Sequence, residues 1–338
     1  MLVKLEIDKK NKLATEHYLR YGFTVLAVLK ASLLLCLFIS CKSSPDLKSK
    51  TDTENISVHN YDTPSVSSTK SYDYDTPDYT YILDQSLNEI SGLSYDSEKN
   101  DFITNDDENG AYYILNANDF SIEDKIDFGK KGDYESIEKL ENDIVICKNN
   151  GTLYFYNEQS KETATYKTPL SLQNDVEGLC HLQDQNILLL ACKGQPYFQD
   201  KKRDKNAKCI YAFDIVEKSL HLSPFITIYD QDLKNHVLNI NGYKSKSDRK
   251  KLIKRIKEFA PSGIAIQPDS KDFYILSARG STLVILDKNK ILKQIVYLDK
   301  NTIPQPEGIT FDRNGNLYIA TEGRGFNGKI FQFKKINK

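Results

Sequence analysis

One position of a repeated motif carries a carboxylate or a hydroxyl, followed each time by Gly or Ser and then an aliphatic residue. The residues at this position, here called the opener residues, are Ser91, Glu135, Glu177, Ser262 and Glu307. A further acid, Glu89, lies just before the first of them. Carboxylate oxygens are the ligands that hard cations such as calcium prefer. The motif therefore predicts a metal site with Glu89, Glu135, Glu177 and Glu307 as ligands, provided that the fold brings these side chains together.

A second set of charged residues lies about fifteen positions after the openers, where an apolar run ends. Its members are Asp106, Lys148, Lys193, Arg279 and Glu322. A few polar groups that converge on one concave surface are typical of a ligand site. We expect these five side chains to bind a ligand next to the metal.

The elements that must position both sets repeat along the chain. Each opener leads into a short apolar run, a polar turn and a second apolar run, as in the turn at 312–316 and the run at 317–320. A third run follows in most units, as at 152–156. The openers recur about every 43 residues, and several short strands at that period are typical of a β-propeller. The sequence predicts an all-β, five-bladed β-propeller.

The interval from Glu177 to Ser262 is about twice as long as the others. It could hold a sixth blade, but insertions at 195–208 and 229–258 also account for its length. Within the second insertion, residues 244–257 are rich in Lys and Arg, and Leu252, Ile256 and Phe259 have helical spacing. We therefore expect a short helix in the third blade that packs through this stripe and exposes its basic face, with a six-bladed propeller as the alternative.

Both sets of charged residues should meet on one face of the propeller. The first strand of a blade lies along the central channel and the second returns antiparallel, so the start of one and the end of the other share a face, onto which both insertions open. Carboxylates repeated around one axis repel one another unless a cation lies among them, which favours calcium. Alternatively, each Glu caps its own blade or pairs with Lys148, Lys193 or Arg279, and the sequence leaves both possibilities open.

Other kinds of site find little support in the sequence. Six cysteines lack the spacing of zinc ligands, and Cys147 and Cys192, at one repeat position, are expected to be buried thiols. The histidines are scattered away from any nucleophile motif, which argues against a hydrolytic triad. The loop at 312–316 has its Gly at the fourth place, not the sixth place of an EF-hand, and is expected to be a hairpin turn.

The N-terminal segment is typical of a bacterial lipoprotein signal. An apolar run from Ala31 ends in a small residue followed by Cys41, the residue that such signals acylate. An uncleaved span is disfavoured, because it would place Lys30 deep in the bilayer. Residues 42–79 are polar and hold few aliphatic side chains. We expect a signal peptide at 1–40, a disordered tether at 41–79 and a propeller at 80–338, held at the plasma or outer membrane through Cys41.

Charge and composition narrow the range of partners. The 338 residues include 46 Lys and Arg and 47 Asp and Glu, which gives a net charge of -1. So balanced a chain has no general electrostatic attraction to nucleic acid. We expect a monomer whose partner is a small anionic ligand or an envelope protein, and no nucleic-acid partner.

Taken in order, the motifs resemble the SdiA-regulated family of bacterial envelope proteins. The resemblance extends from about Leu83 to Phe333. It rests on the segments LNEISGLSY, ITNDDENGAYYI, GDYESI, NDVEGL, APSGIAI, FYILSARGSTLVIL and PQPEGITFDRNGNLYIATEG. It implies a five-bladed propeller, distantly similar to NHL-repeat and phytase-like propellers, with bound calcium and no established enzymatic activity. The chain departs from the pattern at Ser136, where Gly is usual, and in the long insertions of the third unit.

These observations predict a lipid-anchored propeller of the cell envelope that binds calcium and acts as a ligand- or partner-binding module. The alternative is a calcium-dependent phosphoesterase, as in phytase-like propellers. In that enzyme the cation and Lys148, Lys193 and Arg279 would hold a phosphate while a metal-bound water attacks it. The alternative rests on fold analogy, and a fold does not fix a function.

Overall fold

Antiparallel sheets of short strands account for most of the chain. The structure, a computed structural model, describes residues 71–197, 206–239 and 245–336. In these ranges the strands form five separate sheets in which successive strands are neighbours. No helix in these ranges is long and apolar enough to cross a membrane.

Each sheet is one blade, numbered here along the chain. Blade 1 contains β2 (Ile90–Asp96), β3 (Asp101–Asp106), β4 (Ala111–Asn116) and β5 (Ile122–Asp127). Blade 2 contains β6 (Tyr134–Lys139), β7 (Asp143–Lys148), β8 (Leu153–Asn157) and β9 (Thr163–Tyr166). Blade 3 contains β10 (Val176–Leu182), β11 (Ile187–Cys192) and β12 (Ala207–Asp214), with the short outer strands β13 (Ser219–Leu220) and β14 (Ile226–Tyr229).

The last two blades follow the same order. Blade 4 contains β15 (Gly263–Ile266), β16 (Phe273–Ser277), β17 (Thr282–Leu286) and β18 (Leu292–Tyr297). Blade 5 contains β19 (Pro306–Phe311), β20 (Leu317–Thr321) and β21 (Lys329–Phe333), and its outer strand is β1 (Tyr79–Ile82). Short 3-10 turns lie at Gln85–Leu87 and Gln183–Gln185. The predicted five-bladed propeller is confirmed.

The first strand of the chain completes the last blade. β1 pairs antiparallel with β21, with Tyr79 opposite Gln332 and Ile82 opposite Lys329. The two ends of the repeat array are thereby joined through backbone hydrogen bonds. Such closure covers an edge that β21 would otherwise expose.

Two helices account for the extra chain of the third unit. They are α1 (Asp230–Asn239) and α2 (Lys246–Lys257). Leu233 and Val237 of α1 are buried in one cluster with Ile256 of α2 and with Phe259, against strands of blades 3 and 4. The predicted basic helix is confirmed, and the six-bladed alternative is wrong because this segment buries an apolar stripe as helices rather than adding a sheet.

The residues just before β1 pack on the propeller, although composition places them in the predicted tether. Tyr72 and Tyr74 are buried in one cluster with side chains of blades 4 and 5. The Tyr72 hydroxyl donates a hydrogen bond to the Gly315 carbonyl at 2.6 Å. The packed part of the chain thus includes residues before 80, because two aromatic rings supply the apolar surface that the segment lacks in aliphatic residues. Cys41, the signal and the rest of the tether lie outside the described residues.

The inner strands are buried on both faces. In the inner strand β10 six of seven residues are buried, and in its neighbour β11 all six are, since each blade stacks on its two neighbours. Cys147 and Cys192 are fully buried free thiols, as predicted, and so are the two other described cysteines, Cys180 and Cys209. The 312–316 loop is the hairpin turn between β19 and β20, with Asp312 Oδ1 accepting from the Asn314 and Asn316 backbone N–H groups.

Candidate functional site

The inner strands β2, β6, β10, β15 and β19 surround an axis that is almost closed. The cavity between them has a volume of about 10 Å³, roughly the space that one water molecule needs. A Cβ on Gly92 would lie 2.6 Å from the Ile137 nitrogen, and one on Gly263 would lie 2.6 Å from the Glu307 carbonyl oxygen. The glycines after the openers therefore let neighbouring inner strands approach closely. The channel mouth is the end of this axis at which the inner strands begin and the opener residues lie. Any ligand of the openers must bind there, not inside the channel.

A β-bulge places the opener side chain in blades 2 and 3. In blade 2, Tyr134 pairs with Lys148 while Ser136 pairs with Cys147, so Glu135 is the extra residue. Glu177 has the corresponding place in blade 3, and blades 1 and 5 show register shifts across their openers. A bulge redirects a side chain out of the regular alternation. The carboxylates are thereby displayed at the mouth instead of alternating into the blade.

Three opener carboxylates influence one another at the mouth. Burial, followed by the charge of Glu177, raises the pKa of Glu135 to about 8. Burial also raises the pKa of Glu177 to about 7, although nearby Lys193 opposes the shift. The pKa of Glu307 lies well above its usual range because of burial and the charges of Glu177 and Glu322. The fold thus brings Glu135, Glu177 and Glu307 together, as the sequence predicted.

A lysine from the second set lies among these carboxylates. The Lys193 ammonium donates a hydrogen bond to Glu177 Oε1 in an ion pair. Burial lowers the pKa of Lys193, but the charges of Glu177 and Glu307 outweigh it and raise that pKa above its usual value. Glu177 Oε2 is buried and has no hydrogen-bond partner among the described residues. The ion pairing considered as an alternative to calcium is therefore present for Glu177, with one carboxylate oxygen left over.

The carboxylates do not form a ready-made metal-binding group. Within the described ranges, no three His, Cys, Asp or Glu side chains are arranged to hold a metal ion. Lys193 is the cation that accompanies Glu177 in this arrangement. Calcium would have to draw the carboxylates closer together and compete with this lysine. Carboxylate oxygens are suitable ligands for calcium. The spacing of these carboxylates in this structure is not that of a calcium site.

The remaining predicted metal ligand belongs to a different acidic group. Glu89 is exposed and lies near Asp107, with Glu108 and Glu322 close by. Burial, followed by the charges of Glu89 and neighbouring acids, raises the pKa of Asp107 to about 6. The sequence analysis missed Asp107, because it follows directly on Asp106 and nothing in the pattern shows which of two adjacent acids lies near Glu89.

The opener serine of blade 4 has a structural role. Ser262 Oγ donates to the Pro306 carbonyl at 2.8 Å and accepts from the Ala278 N–H at 3.1 Å. These hydrogen bonds connect blade 4 to the start of β19 in blade 5. Ser91 is also buried. Ser262 thus stabilises the framework that positions the glutamates.

The second set does not line a single pocket. Asp106 accepts from the Asn109 N–H at 2.6 Å and from the Tyr113 hydroxyl at 3.1 Å, so it shapes its own loop. The Lys148 ammonium lies 5.1 Å from the centre of the Tyr134 ring. Arg279 is exposed and lines a separate cavity of about 480 Å³ beside the end of α2. Lys193 is thus the member of this set that pairs directly with an opener carboxylate.

A family model described as SdiA-regulated matches residues 227–327. The chain is a β-propeller, and this part of it is similar to the SdiA-regulated family. The match begins in β14 and ends just before β21, so it includes both insertion helices and the openers Ser262 and Glu307. The family resemblance found in the motifs is confirmed. Among curated proteins, none matches the chain in sequence.

Several solved structures are similar to this propeller at low sequence identity. A luciferin-regenerating enzyme is 12% identical with a TM-score of 0.45, covering 78% of this chain and 96% of its own. A virginiamycin B lyase from Staphylococcus aureus is 14% identical with a TM-score of 0.41, covering 76% of this chain and 69% of its own. A WD40 β-propeller domain is 13% identical with a TM-score of 0.43, covering 73% and 79%. These structures are similar to the chain in fold alone.

Proposed function

We propose that this SdiA-regulated propeller is a binding module whose channel mouth takes up calcium through Glu135, Glu177 and Glu307. The observation that carries the proposal is a cluster of three carboxylates beside Lys193, one buried and two half-buried, with Glu177 Oε2 left without a partner among the described residues. The charges of Lys193 and of nearby Arg279 do not balance three carboxylates. A divalent cation supplies the missing charge and accepts oxygen ligands in flexible geometry.

The raised pKa values make this binding dependent on pH. Calcium binds carboxylates in their ionised form, so it must displace the protons that burial and mutual repulsion favour. The pKa values of Glu135 and Glu177 are raised to about 8 and about 7. Calcium affinity should therefore rise between pH 6 and pH 8.5. Isothermal titration calorimetry at these two pH values tests this, and equal affinities at both would contradict it.

We further propose that the module is held in the cell envelope by acylation of Cys41. The support is the apolar run that ends in Ser40 and Cys41. A lipoprotein cysteine carries at least two acyl chains, which is the number needed for stable anchoring. Labelling cells with radioactive palmitate tests the proposal, because wild type should incorporate label and Cys41→Ala should not. Equal labelling of the two proteins would refute the anchor.

No specific observation favours the phosphoesterase alternative. It requires Lys148, Lys193 and Arg279 to surround one phosphate. Lys193 pairs with Glu177, Lys148 lies against Tyr134, and Arg279 lines a separate cavity. The three cations are therefore committed to different surroundings. We propose a binding module whose partner is a small anionic ligand or an envelope protein.

A further inference from the structure

A second cavity lies on the face opposite the openers and has a volume of about 620 Å³. It is formed by the turns that join first and second strands in blades 1 to 3, at 95–98, 138–143 and 181–186. The inner strands run from the channel mouth to these turns, so the whole propeller separates this cavity from the glutamate cluster. It is thus independent of the proposed calcium site.

The lining of this cavity is strongly acidic. Five carboxylates contribute to it, from Asp96, Glu98, Glu138, Glu141 and Asp143. The one lysine in the lining, Lys139, has its ammonium 2.8 Å from Glu158 Oε2 and donates to the Glu141 carbonyl at 2.8 Å. That ammonium is paired with an acid outside the lining, which also pairs with Lys99. The cavity consequently favours a positively charged occupant.

Two polar side-chain atoms of the lining are buried without a partner among the described residues. Asp96 is 2% exposed, and its Oδ1 accepts from the backbone N–H groups of Glu98 and Lys99 at 2.9 and 3.1 Å. Its Oδ2 has no hydrogen-bond partner in the described part of the chain, and neither does Nε2 of His181. Burial lowers the pKa of His181, so its ring is neutral at pH 7. Unsatisfied buried groups are costly and rare, and here two of them line one cavity.

Contacts between three blades hold the wall of this cavity in place. Glu138 Oε1 accepts from the His181 backbone N–H at 3.2 Å, and Oε2 accepts from Ser94 Oγ at 3.2 Å. Ser94 Oγ in turn accepts from the Lys139 N–H at 3.0 Å. These bonds link the inner strands of blades 1, 2 and 3. His181 and Asp96 are therefore presented by a fixed framework rather than by loose loops.

We propose that this cavity binds a small molecule bearing a primary ammonium group on a short aliphatic chain. The ammonium has three N–H donors. Asp96 Oδ2 is an acceptor that lacks a donor, and His181 Nε2 is a second one in the tautomer that carries its proton on Nδ1. The rim carboxylates add long-range attraction, while Leu140 and Ile215 line the cavity and can contact an aliphatic chain. The volume exceeds what a bare ion requires. An organic amine satisfies each of these conditions.

Nuclear magnetic resonance of the histidine rings tests this proposal on the full chain. The chain has five histidines, so their ring signals can be assigned by substitution. The probe is 1,4-diaminobutane, compared with 1,4-butanediol, which has a similar length and no charge. The diamine should shift the His181 signal in a saturable manner, and the diol should not. Equal responses to the two compounds, or no response to the diamine, would overturn the proposal.

Matched variants separate specific binding from general charge attraction. Asp96→Asn keeps the Oδ1 acceptor that holds the turn and removes the charge, and it should weaken diamine binding at least tenfold, because a buried charged hydrogen bond is lost. Asp119→Asn removes one charge from an exposed turn outside the cavity and should leave the affinity within twofold. Equal weakening by both would refute the site. A calcium-induced shift of His181 that competes with the diamine would identify a metal site instead, whatever the outcome at the channel mouth.

Discussion

The backbone N–H of His181 in blade 3 donates a hydrogen bond, 3.2 Å long, to the buried carboxylate of Glu138 in blade 2. The same carboxylate accepts from Ser94 Oγ in blade 1. One acidic side chain thus links three inner strands at the end of the propeller opposite the channel mouth. Burial raises its pKa to about 7, so it holds its proton far more readily than an acid in solution.

This raised pKa predicts a fold that loses stability as the pH rises. A buried acid whose folded pKa exceeds its unfolded value binds more protons in the folded state, so stability falls as pH increases between the two values. For Glu138 that window runs from its usual 4.5 to about 7. Thermal melts in EDTA should therefore show a lower melting temperature at pH 8 than at pH 5.5. The channel-mouth glutamates add to the same trend.

The variant Glu138→Gln isolates the contribution of this residue. Glutamine keeps an acceptor for the His181 N–H and cannot ionise, so the fall in melting temperature between pH 5.5 and pH 8 should be smaller than in wild type. Glu217→Gln, at an exposed position, serves as the control and should leave the fall unchanged. A Glu138→Gln protein with the full wild-type pH dependence would show that this carboxylate does not titrate as described.

Loss of the Lys193 ammonium should destabilise the propeller, and more so at high pH. Lys193→Met leaves Glu177 without its ion-pair partner at the partly buried channel mouth. Removing one member of a buried pair costs about 3–5 kcal/mol, and partial exposure reduces this to about 1–3 kcal/mol. At pH 5.5 the carboxylates can take up protons instead, so the loss should be smaller there than at pH 8.5.

Urea denaturation of Lys193→Met at both pH values measures this effect. Lys148→Met is the matched control, because the Lys148 ammonium lies against the Tyr134 ring. Its cost should be smaller and similar at the two pH values. If both variants show the same loss with no pH dependence, the ion pair contributes nothing specific to stability.

Close approach of inner strands predicts that Gly263→Ala destabilises the fold. The new Cβ would lie 2.6 Å from the Glu307 carbonyl oxygen, a backbone atom that cannot move without shifting β19. Overpacking of this kind costs about 1–3 kcal/mol. Gly129→Ala is the control, since its Cβ would meet the Tyr134 hydroxyl at 3.4 Å. Chemical denaturation should separate the two variants, and equal stabilities would contradict the tight packing around the axis.

Packing of the segment before β1 predicts that Tyr74→Ala weakens the propeller. Tyr74 is 6% exposed and lies 6.4 Å from Phe333, ring centre to ring centre. Truncating a buried aromatic side chain costs about 3–5 kcal/mol. Tyr79→Ala removes a side chain that is 49% exposed and should cost less. A Tyr74→Ala protein as stable as wild type in urea would show that this segment adds nothing to the fold.

The repeat made the five blades and the face shared by the opener glutamates predictable from the sequence. Local patterns of apolar residues also indicated α2 correctly, because Leu252 and Ile256 lie on its packed face and Phe259 packs just after its end. The pairing of β1 with β21 joins residues that lie about 250 positions apart, and no local pattern carries that information. Burial of Tyr72 and Tyr74 depends in the same way on a distant surface.

The sites were less predictable than the fold. The bulges that display Glu135 and Glu177 are one-residue shifts of register, which hydrophobic alternation does not reveal. The second set was expected around one ligand, whereas Lys148, Lys193 and Arg279 have separate surroundings. The cavity that contains Asp96 and His181 went unnoticed, because it is built from turns whose proximity is set by the stacking of blades.

The comparison of thermal melts in millimolar calcium, in magnesium and in EDTA at pH 8 tests the central claim most directly. Calcium that binds only the folded state at a hundredfold excess over Kd adds about 2.7 kcal/mol, which raises the melting temperature of wild type by roughly 5–10 °C. Glu177→Gln should lose most of this shift and Glu217→Gln should keep it. Absence of a calcium shift in wild type, or an equal shift in Glu177→Gln, would contradict a calcium site at the channel mouth.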